Sequence, residues 1–279
     1  MRIIIFSDLD GSLLDHDTYS HAAADKLLSS LDSQNIPVIP STSKTFSELR
    51  DIREELGNPH PFVVENGAAV YIPGGYFNEV PEDLVERHGF AVKEFVQGRS
   101  HWQVILQKGD LHLNDAFLTF QQAGAEKIAE MTGLNIEDAQ KANDREYGEP
   151  LKWLGTESQY DAFKRYIKLQ GGTLLKGGRF IHLSGECDKG KALQWLMSLF
   201  CTQDANQKTI SIALGDSHND VAMIERADYG ILIRSPVHEF PVTTKAVFKT
   251  KQTGAKGWVE GITHVFNTLG IRLADKASL

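Results

Sequence analysis

Apolar positions near both ends of the chain alternate between short continuous runs and helical stripes. Residues 3–6 form a β-branched and aromatic run, which is typical of a strand buried on both faces of a parallel sheet. Helical spacing follows at about residues 19–34 and 46–56, and further short apolar runs occupy 38–39 and 62–64. The alternation returns at residues 189–200, 210–214, 219–226, 229–233 and 257–269. This pattern predicts a doubly wound α/β core with a parallel sheet.

The middle of the chain has a different pattern, in which strands and helices are mixed. Strands are predicted at residues 102–106, 117–120, 151–154, 173–176 and 179–183, and helices at 125–131, 136–143 and 158–170. Gly177 and Gly178 suit a hairpin turn, because glycine adopts positive φ readily. We therefore predict a core formed by residues 1–84 and 185–279, with an α+β cap domain inserted at 85–184.

Composition narrows the class of protein. The chain has 279 residues, a length that suits two domains, and a formal net charge of −8. Such a charge does not attract nucleic acid or an anionic membrane through its bulk field. The sequence contains two cysteines, no apolar run long enough for a membrane helix and no signal-peptide core. We expect a soluble cytoplasmic protein with a small-molecule partner.

Two acidic clusters follow predicted strands. Asp8 and Asp10 come directly after the first strand, and Asp216 and Asp220 follow the strand at 210–214. Ligands of parallel sheets bind beyond the carboxyl ends of the strands, and carboxylates there can hold a hard divalent cation or attack phosphorus. Each cluster alone has a structural alternative, an Asp-Gly turn in the first case and a helix N-cap in the second. Together they favour a shared metal site.

Two further segments suit a phosphate group. Thr42 and Ser43 follow the strand at 38–39 and precede a helix, where hydroxyls and backbone N–H groups can bind an anion. Lys189 opens another predicted helix and could balance phosphate or carboxylate charge. A helix cap and a solvated surface lysine are the structural alternatives.

These segments, in this order, resemble the haloacid dehalogenase (HAD) superfamily. The carrying motifs are Asp-x-Asp-Gly-Ser at the first strand, a hydroxyl after the second strand, a lysine, and Gly-Asp-x-x-Asn-Asp. The resemblance implies that Asp8 is the nucleophile and Asp10 the general acid/base. It also implies Mg²⁺ as cofactor. The implied phosphate-binding residues are Thr42, Ser43, Lys189 and Asn219, and the implied metal-site residues are Asp8, the Asp10 carbonyl, Asp216 and, in support, Asp220.

The position of the insert resembles HAD subclass IIB, which carries a large cap of the C2B type. Glu65-Asn66-Gly67-Ala68, just before the insert, is similar to that subclass. Within it, Ser41 to Thr45, Arg145 to Pro150, Gly177 to His182 and Lys256-Gly257-Trp258 resemble the mannosyl-3-phosphoglycerate phosphatases. The resemblance implies a phosphatase for a phosphorylated sugar-glycerate. The candidate substrate contacts in the cap are Arg145, Glu149, Arg179 and His182, each of which could also be a purely structural residue.

Three other functions fit parts of the same pattern. A glucosyl-3-phosphoglycerate, sucrose-phosphate or other sugar phosphatase of the same subclass would differ only in substrate. A phosphomannomutase-like transferase would have to keep water from the aspartyl-phosphate. A non-catalytic binding module would be expected to have lost Asp8 or Asp10, and both are present.

Overall fold

A computed structural model describes residues 1–109, 113, 115–176, 179–203 and 207–272. Contacts divide the chain into two compact units. The first unit comprises Met1–Thr42, Pro59–Lys93 and Asp188–Leu279, and the second comprises Ser43–Asn58 and Glu94–Cys187. The cap bounds predicted at 85 and 184 stay a prediction. By contacts, residues 85–93 belong with the first unit and residues 43–58 with the second.

The described elements alternate between strands and helices. The strands are β1 (Arg2–Ser7), β2 (Val38–Pro40), β3 (Phe62–Val64), β4 (Ala69–Pro73), β5 (Val85–Arg87), β6 (Phe90–Glu94), β7 (Phe117–Thr119), β8 (Glu149–Trp153), β9 (Thr173–Lys176), β10 (Ile181–Ser184), β11 (Thr209–Gly215), β12 (Tyr229–Arg234) and β13 (Phe248–Thr253). The helices are α1 (Asp25–Ser33), α2 (Phe46–Glu55), α3 (Arg99–Lys108), α4 (Phe120–Thr132), α5 (Ile136–Asn143), α6 (Glu157–Leu169), α7 (Lys189–Gln203), α8 (Val221–Arg226) and α9 (Gly254–Leu269).

The first unit is built on a five-stranded parallel sheet with the order β13-β12-β11-β1-β2. β1 is an interior strand between β11 and β2, and its side chains from Ile3 to Ser7 are buried, as the continuous apolar run predicts. In register, Ser7 pairs with Leu214 of β11 and with Pro40 of β2. The residues that follow these three strands therefore meet at one edge of the sheet. The predicted α/β fold class is confirmed.

A second sheet with the order β3-β4-β6-β5 was not predicted beyond β3. β4 is almost wholly buried and lies only four residues after β3, whereas β5 is exposed. Neither strand shows the alternation of apolar and polar residues that marks a half-buried strand. β13 was missed for a related reason, because only one of its six residues is buried.

The second unit contains an antiparallel sheet with the order β7-β8-β10-β9. One prediction in this region is wrong, since residues 102–106 belong to α3 and not to a strand. Trp102, Ile105 and Leu106 are buried at helical spacing, whereas Val104 is 46% exposed. Phe120 likewise begins α4 instead of ending a strand. The predicted turn at Gly177-Gly178 lies outside the described residues.

α1 is shorter than predicted. Tyr19 has a φ of 56°, which no right-handed helix accommodates, and the helix begins only at Asp25. Within the described part of the chain, no helix is both long enough and apolar enough to cross a membrane.

Candidate active site

The two acidic clusters lie together at the carboxyl edge of the parallel sheet. Asp8 follows β1 and donates its backbone N–H to Leu214 O of β11 at 2.9 Å. Asp216 comes directly after Gly215, the last residue of β11. Gly11 has a φ of 74°, and a Cβ there would lie 2.6 Å from Asp216 Oδ2. A side chain at position 11 would therefore push the turn after Asp10 away from Asp216.

Lys189 joins the clusters. Its Nζ donates to Asp8 Oδ1 at 2.6 Å and to Asp220 Oδ1 at 2.6 Å. The side chain is fully buried at the start of α7. The alternative of a solvated surface lysine therefore does not hold.

Asp220 organises the loop after β11. Its Oδ2 accepts hydrogen bonds from the backbone N–H groups of Asp216 and Ser217, at 3.1 and 3.0 Å. The side chain does not cap α8. The helix-cap alternative for Asp220 therefore holds in part. Its bond to Ser217 N–H belongs to a capping box on the short 3₁₀ helix His218–Asp220, and its bond to Asp216 N–H adds a role within the loop.

Burial and mutual repulsion act on the acids. The pKa of the Asp8 carboxyl is raised well above its usual value by burial and then by the charge of Asp220, against the opposing charge of Lys189. Burial, followed by the charge of Asp220, raises the pKa of Asp216 to about 6. Burial disfavours the charged form of Lys189, but Asp220 and Asp8 outweigh it and hold the pKa of this ammonium above its usual value.

This arrangement fits a divalent cation. Asp8, Asp216 and Asp220 each offer a carboxylate oxygen, and these atoms all lie within 4.8 Å of one another. Oxygen ligands of this kind suit Mg²⁺. Burial first, and the charge of Asp220 second, disfavours the ionised forms of Asp8 and Asp216 despite the nearby Lys189. A cation would stabilise those ionised forms.

Thr42 lies at the same edge of the sheet, two residues after β2. It is buried, and its backbone N–H donates to Val63 O at 3.1 Å. The cap of α2 is Thr45, whose hydroxyl accepts from Glu48 N at 3.1 Å, so Thr42 is not the helix cap. Ser43 groups with the second unit. Its predicted role, like that of Thr42, stays a prediction.

Three polar residues near the clusters carried no chemical signal in the sequence. Asn66 accepts a hydrogen bond from Asn219 Nδ2 at 2.9 Å. Ser235 hydrogen-bonds to Asp216, and the charge of His238 also favours the ionised form of that carboxyl. Both residues follow β12, a third strand of the parallel sheet, and strand-end position is the signal that could have identified them.

The backbone beneath Asp8 is held by a buried chain of hydrogen bonds. Trp258 Nε1 of α9 donates to Ser7 Oγ at 2.9 Å, and Ser7 Oγ donates to Asp8 O at 2.6 Å. The segment Lys256-Gly257-Trp258 thus supports the strand that carries Asp8.

The candidate cap residues have partners within the second unit. Glu149 is fully buried and accepts from Arg99 Nε at 2.6 Å. Arg145 Nη2 donates to Ser43 O, and Arg179 Nη1 donates to the carbonyls of Met131 and Thr132. These contacts neither exclude nor establish substrate binding, so the predicted roles stay predictions.

His182 is predicted as a cationic or hydrogen-bonding partner of the substrate, and its pKa fits only the second of these roles. Burial, assisted by the charge of Arg145, lowers the pKa of His182 to about 4. The imidazole is therefore neutral at pH 7 and can act only as a neutral hydrogen-bonding group.

Comparison with known proteins places the chain in a family. The haloacid dehalogenase-like hydrolase family matches residues 5–255, so the chain belongs to it. A glucosyl-3-phosphoglycerate/mannosyl-3-phosphoglycerate phosphatase of Methanococcoides burtonii is 35% identical over 94% of this chain and 96% of that protein. A phosphatase of the same name from Persephonella marina is 33% identical over 96% of this chain and 98% of that protein.

Solved structures agree on the fold. A haloacid dehalogenase-like hydrolase from Bacteroides thetaiotaomicron matches with a TM-score of 0.65 and 16% identity, covering 96% of this chain and 100% of that one. The predicted membership of the HAD superfamily and the predicted enzyme class, a phosphoric monoester hydrolase, are thus confirmed.

Proposed function

We propose that this enzyme hydrolyses mannosyl-3-phosphoglycerate to mannosylglycerate and phosphate, with Mg²⁺ as cofactor and Asp8 as nucleophile. The observation that carries the mechanism is the buried contact of Lys189 with both Asp8 and Asp220, at 2.6 Å each. The names of the two relatives support the substrate. Because those names also include the glucosyl compound, glucosyl-3-phosphoglycerate is the second candidate.

The Asp8 carboxylate attacks phosphorus and forms an aspartyl-phosphate, while the sugar-glycerate oxygen leaves. Attack requires the ionised carboxylate, and the ammonium of Lys189 favours that form. Lys189 and the Thr42 hydroxyl offset the charge on the transferring oxygens. Burial strengthens these interactions, because Lys189 and Thr42 are both inaccessible to water.

Asp10 transfers the protons. It first protonates the leaving oxygen and then takes a proton from the water that attacks the aspartyl-phosphate, so that Asp8 and inorganic phosphate are released. Asp10 lies two residues from Asp8, and its charge acts on that carboxyl. This proximity supports the assignment.

Mg²⁺ would be held by Asp8, the Asp10 carbonyl and Asp216, with Asp220 orienting the loop. When bound, it supplies electrostatic stabilisation of phosphoryl oxygens. The chain's own residues prepare its site, since Asp220 holds the backbone of Asp216 and Ser217, and Ser235 hydrogen-bonds to the Asp216 carboxylate.

The test is phosphate release from mannosyl-3-phosphoglycerate beside glucosyl-3-phosphoglycerate, sucrose 6-phosphate and mannose 6-phosphate, with Mg²⁺ or with a chelator. Asp8→Asn is the control, because it removes the nucleophile and keeps the shape. We expect metal-dependent release that prefers the mannosyl compound and is absent in Asp8→Asn. Turnover by Asp8→Asn would overturn the nucleophile, and preference for another compound would overturn the substrate.

A further inference from the structure

The turn that joins β3 to β4 has an unusual backbone. Glu65, Asn66 and Gly67 have φ values of 46°, 60° and 92°. Residues other than glycine rarely adopt this left-handed conformation, because their Cβ atom then lies too close to the following carbonyl oxygen. Such strain persists where surrounding contacts demand it, and it is concentrated at functional sites.

The backbone of this turn contacts two segments of the site. Asn66 N–H donates to Thr42 O at 2.9 Å. A Cβ on Gly67 would lie 2.3 Å from Asp188 O and 2.7 Å from Lys189 N, so only glycine permits this approach. The turn therefore packs directly against the residue that precedes Lys189.

The side chain of Asn66 reaches a third segment. Its Oδ1 accepts from Asn219 Nδ2 at 2.9 Å, and Ser217 Oγ donates to Asn219 Oδ1. Both ends of the Asn219 carboxamide thus make hydrogen bonds. These bonds fix its orientation, with Nδ2 toward Asn66 and Oδ1 toward Ser217. One Nδ2 hydrogen is used by Asn66, and the second can donate to another acceptor.

We propose that Asn66 is a positioning residue for phosphoryl transfer, acting through the carboxamide of Asn219. This inference rests on the proposed function and on the phosphate-binding role that the family resemblance implies for Asn219. Asn66 holds the Asn219 Nδ2 group toward the phosphate. The turn that contains Asn66 also holds Thr42 and the start of α7 in position around the same phosphate. Asparagine suits the position, because it tolerates positive φ and supplies the acceptor oxygen.

The first variant is Asn66→Gly, which keeps the left-handed backbone and removes the carboxamide. We expect kcat/KM to fall about two- to tenfold, the effect of one hydrogen bond. The loss should be equal for mannosyl-3-phosphoglycerate and p-nitrophenyl phosphate, because the two share only the phosphoryl group. Asn219→Ala should lose at least as much, and the double variant should lose no more than Asn219→Ala.

Asn35→Gly is the matched control, since Asn35 is exposed and also has a positive φ, 55°, at a turn after α1. It should leave kcat and KM unchanged. Asn66→Asp retains the shape and an acceptor oxygen, so its kcat at saturating substrate should exceed that of Asn66→Gly. Any effect of the added charge on substrate binding would fall on KM.

A binding readout separates this inference from the proposed function. Titration calorimetry with inorganic phosphate and Mg²⁺ should show weaker phosphate binding in Asn66→Gly than in the wild type. Wild-type protein that neither releases nor binds phosphate would overturn both proposals. Wild-type activity in Asn66→Gly, additive losses in the double variant, or an Asn66→Asp kcat as low as that of Asn66→Gly would overturn only the role of Asn66.

Discussion

The two units of this protein bury charge in opposite ways. In the first unit, Asp8, Asp216 and Asp220 crowd around Lys189, and the pKa values of Asp8 and Asp216 are raised. The acids outnumber the base, so the folded protein keeps an excess of negative charge in a place where water cannot screen it. Such an arrangement is costly for stability unless a cation joins it.

In the second unit, the buried charge is matched. Arg99 places its Nε and Nη2 on the two oxygens of Glu149, at 2.6 and 2.9 Å. Gln103 Nε2 and the backbone N–H of Gln121 also donate to this carboxylate. The Glu149 charge thus has its partner, Arg99, within the unit. The comparison teaches that an unbalanced buried cluster indicates chemistry, whereas a balanced pair indicates architecture.

The largest effect should follow when an acid is removed from the cluster. Asp10→Asn should lower kcat by roughly 10²–10⁴-fold, as expected for lost acid–base catalysis. Its melting temperature should stay at or above the wild-type value, because one of the repelling charges is gone. Steady-state kinetics and thermal melts in parallel check both parts. A strongly destabilised Asp10→Asn would show that the cluster is structural after all.

Removing Arg99 from its pair with Glu149 should instead lower the stability of the protein. Arg99→Met leaves the Glu149 carboxylate buried without its charge partner, which should cost about 3–5 kcal/mol of unfolding free energy. Urea denaturation measures this change in the free energy of unfolding. Arg179→Met is the matched control, since Arg179 is exposed and its contacts within the described part of the chain are with backbone carbonyls and the Phe180 ring. This variant should change stability by about 0.5 kcal/mol or less. Equal effects would remove the distinction between the two arginines.

The pH dependence of stability should reveal the excess charge. The raised pKa of Asp216, about 6, means that the folded metal-free protein holds a proton that the unfolded chain loses near pH 4. Stability of the metal-free protein should therefore fall as the pH rises from about 4 to about 6. Mg²⁺ should stabilise the folded protein more above this window than below it, and a hundredfold excess over its Kd should add about 2.7 kcal/mol to the free energy of unfolding.

Thermal melts with a chelator and with Mg²⁺ across this range check the prediction. Asp216→Asn should lose most of the metal effect and the part of the pH dependence that Asp216 contributes, whereas the part from Asp8 should remain. A stabilisation by Mg²⁺ that is independent of pH would contradict it.

The smallest effect should come from the support beneath Asp8. Trp258→Phe keeps the aromatic ring in the core but removes the donor to Ser7, and should cost about 1 kcal/mol of unfolding free energy. Ser7 can still donate to Asp8 O, so kcat should fall by less than in Asp10→Asn. Urea denaturation and kinetics together test this. A large loss of kcat with wild-type stability would show that Trp258 contributes to catalysis and not only to the support of Asp8.

Local sequence patterns predicted a helix or strand correctly where the segment's own residues determine its structure. The run at residues 3–6 predicted β1, and Ile136–Asn143 has the predicted bounds of α5. Prediction failed where the partner of a segment decides its structure. The short apolar run at residues 104–106 of α3 fits a strand as well as a helix, and only packing of Trp102 into the core of the second unit shows a helix.

The sequence by itself predicted the chemistry of Asp8, Asp10 and Asp216, because their position after apolar strands is a local property of the chain. Only the tertiary structure decided which residues serve them. Lys189 meets Asp8 across 181 positions of sequence, and Asn219 meets Asn66 across 153. No local pattern encodes such contacts, since the parallel sheet, with its crossover connections, brings distant strand ends to one edge.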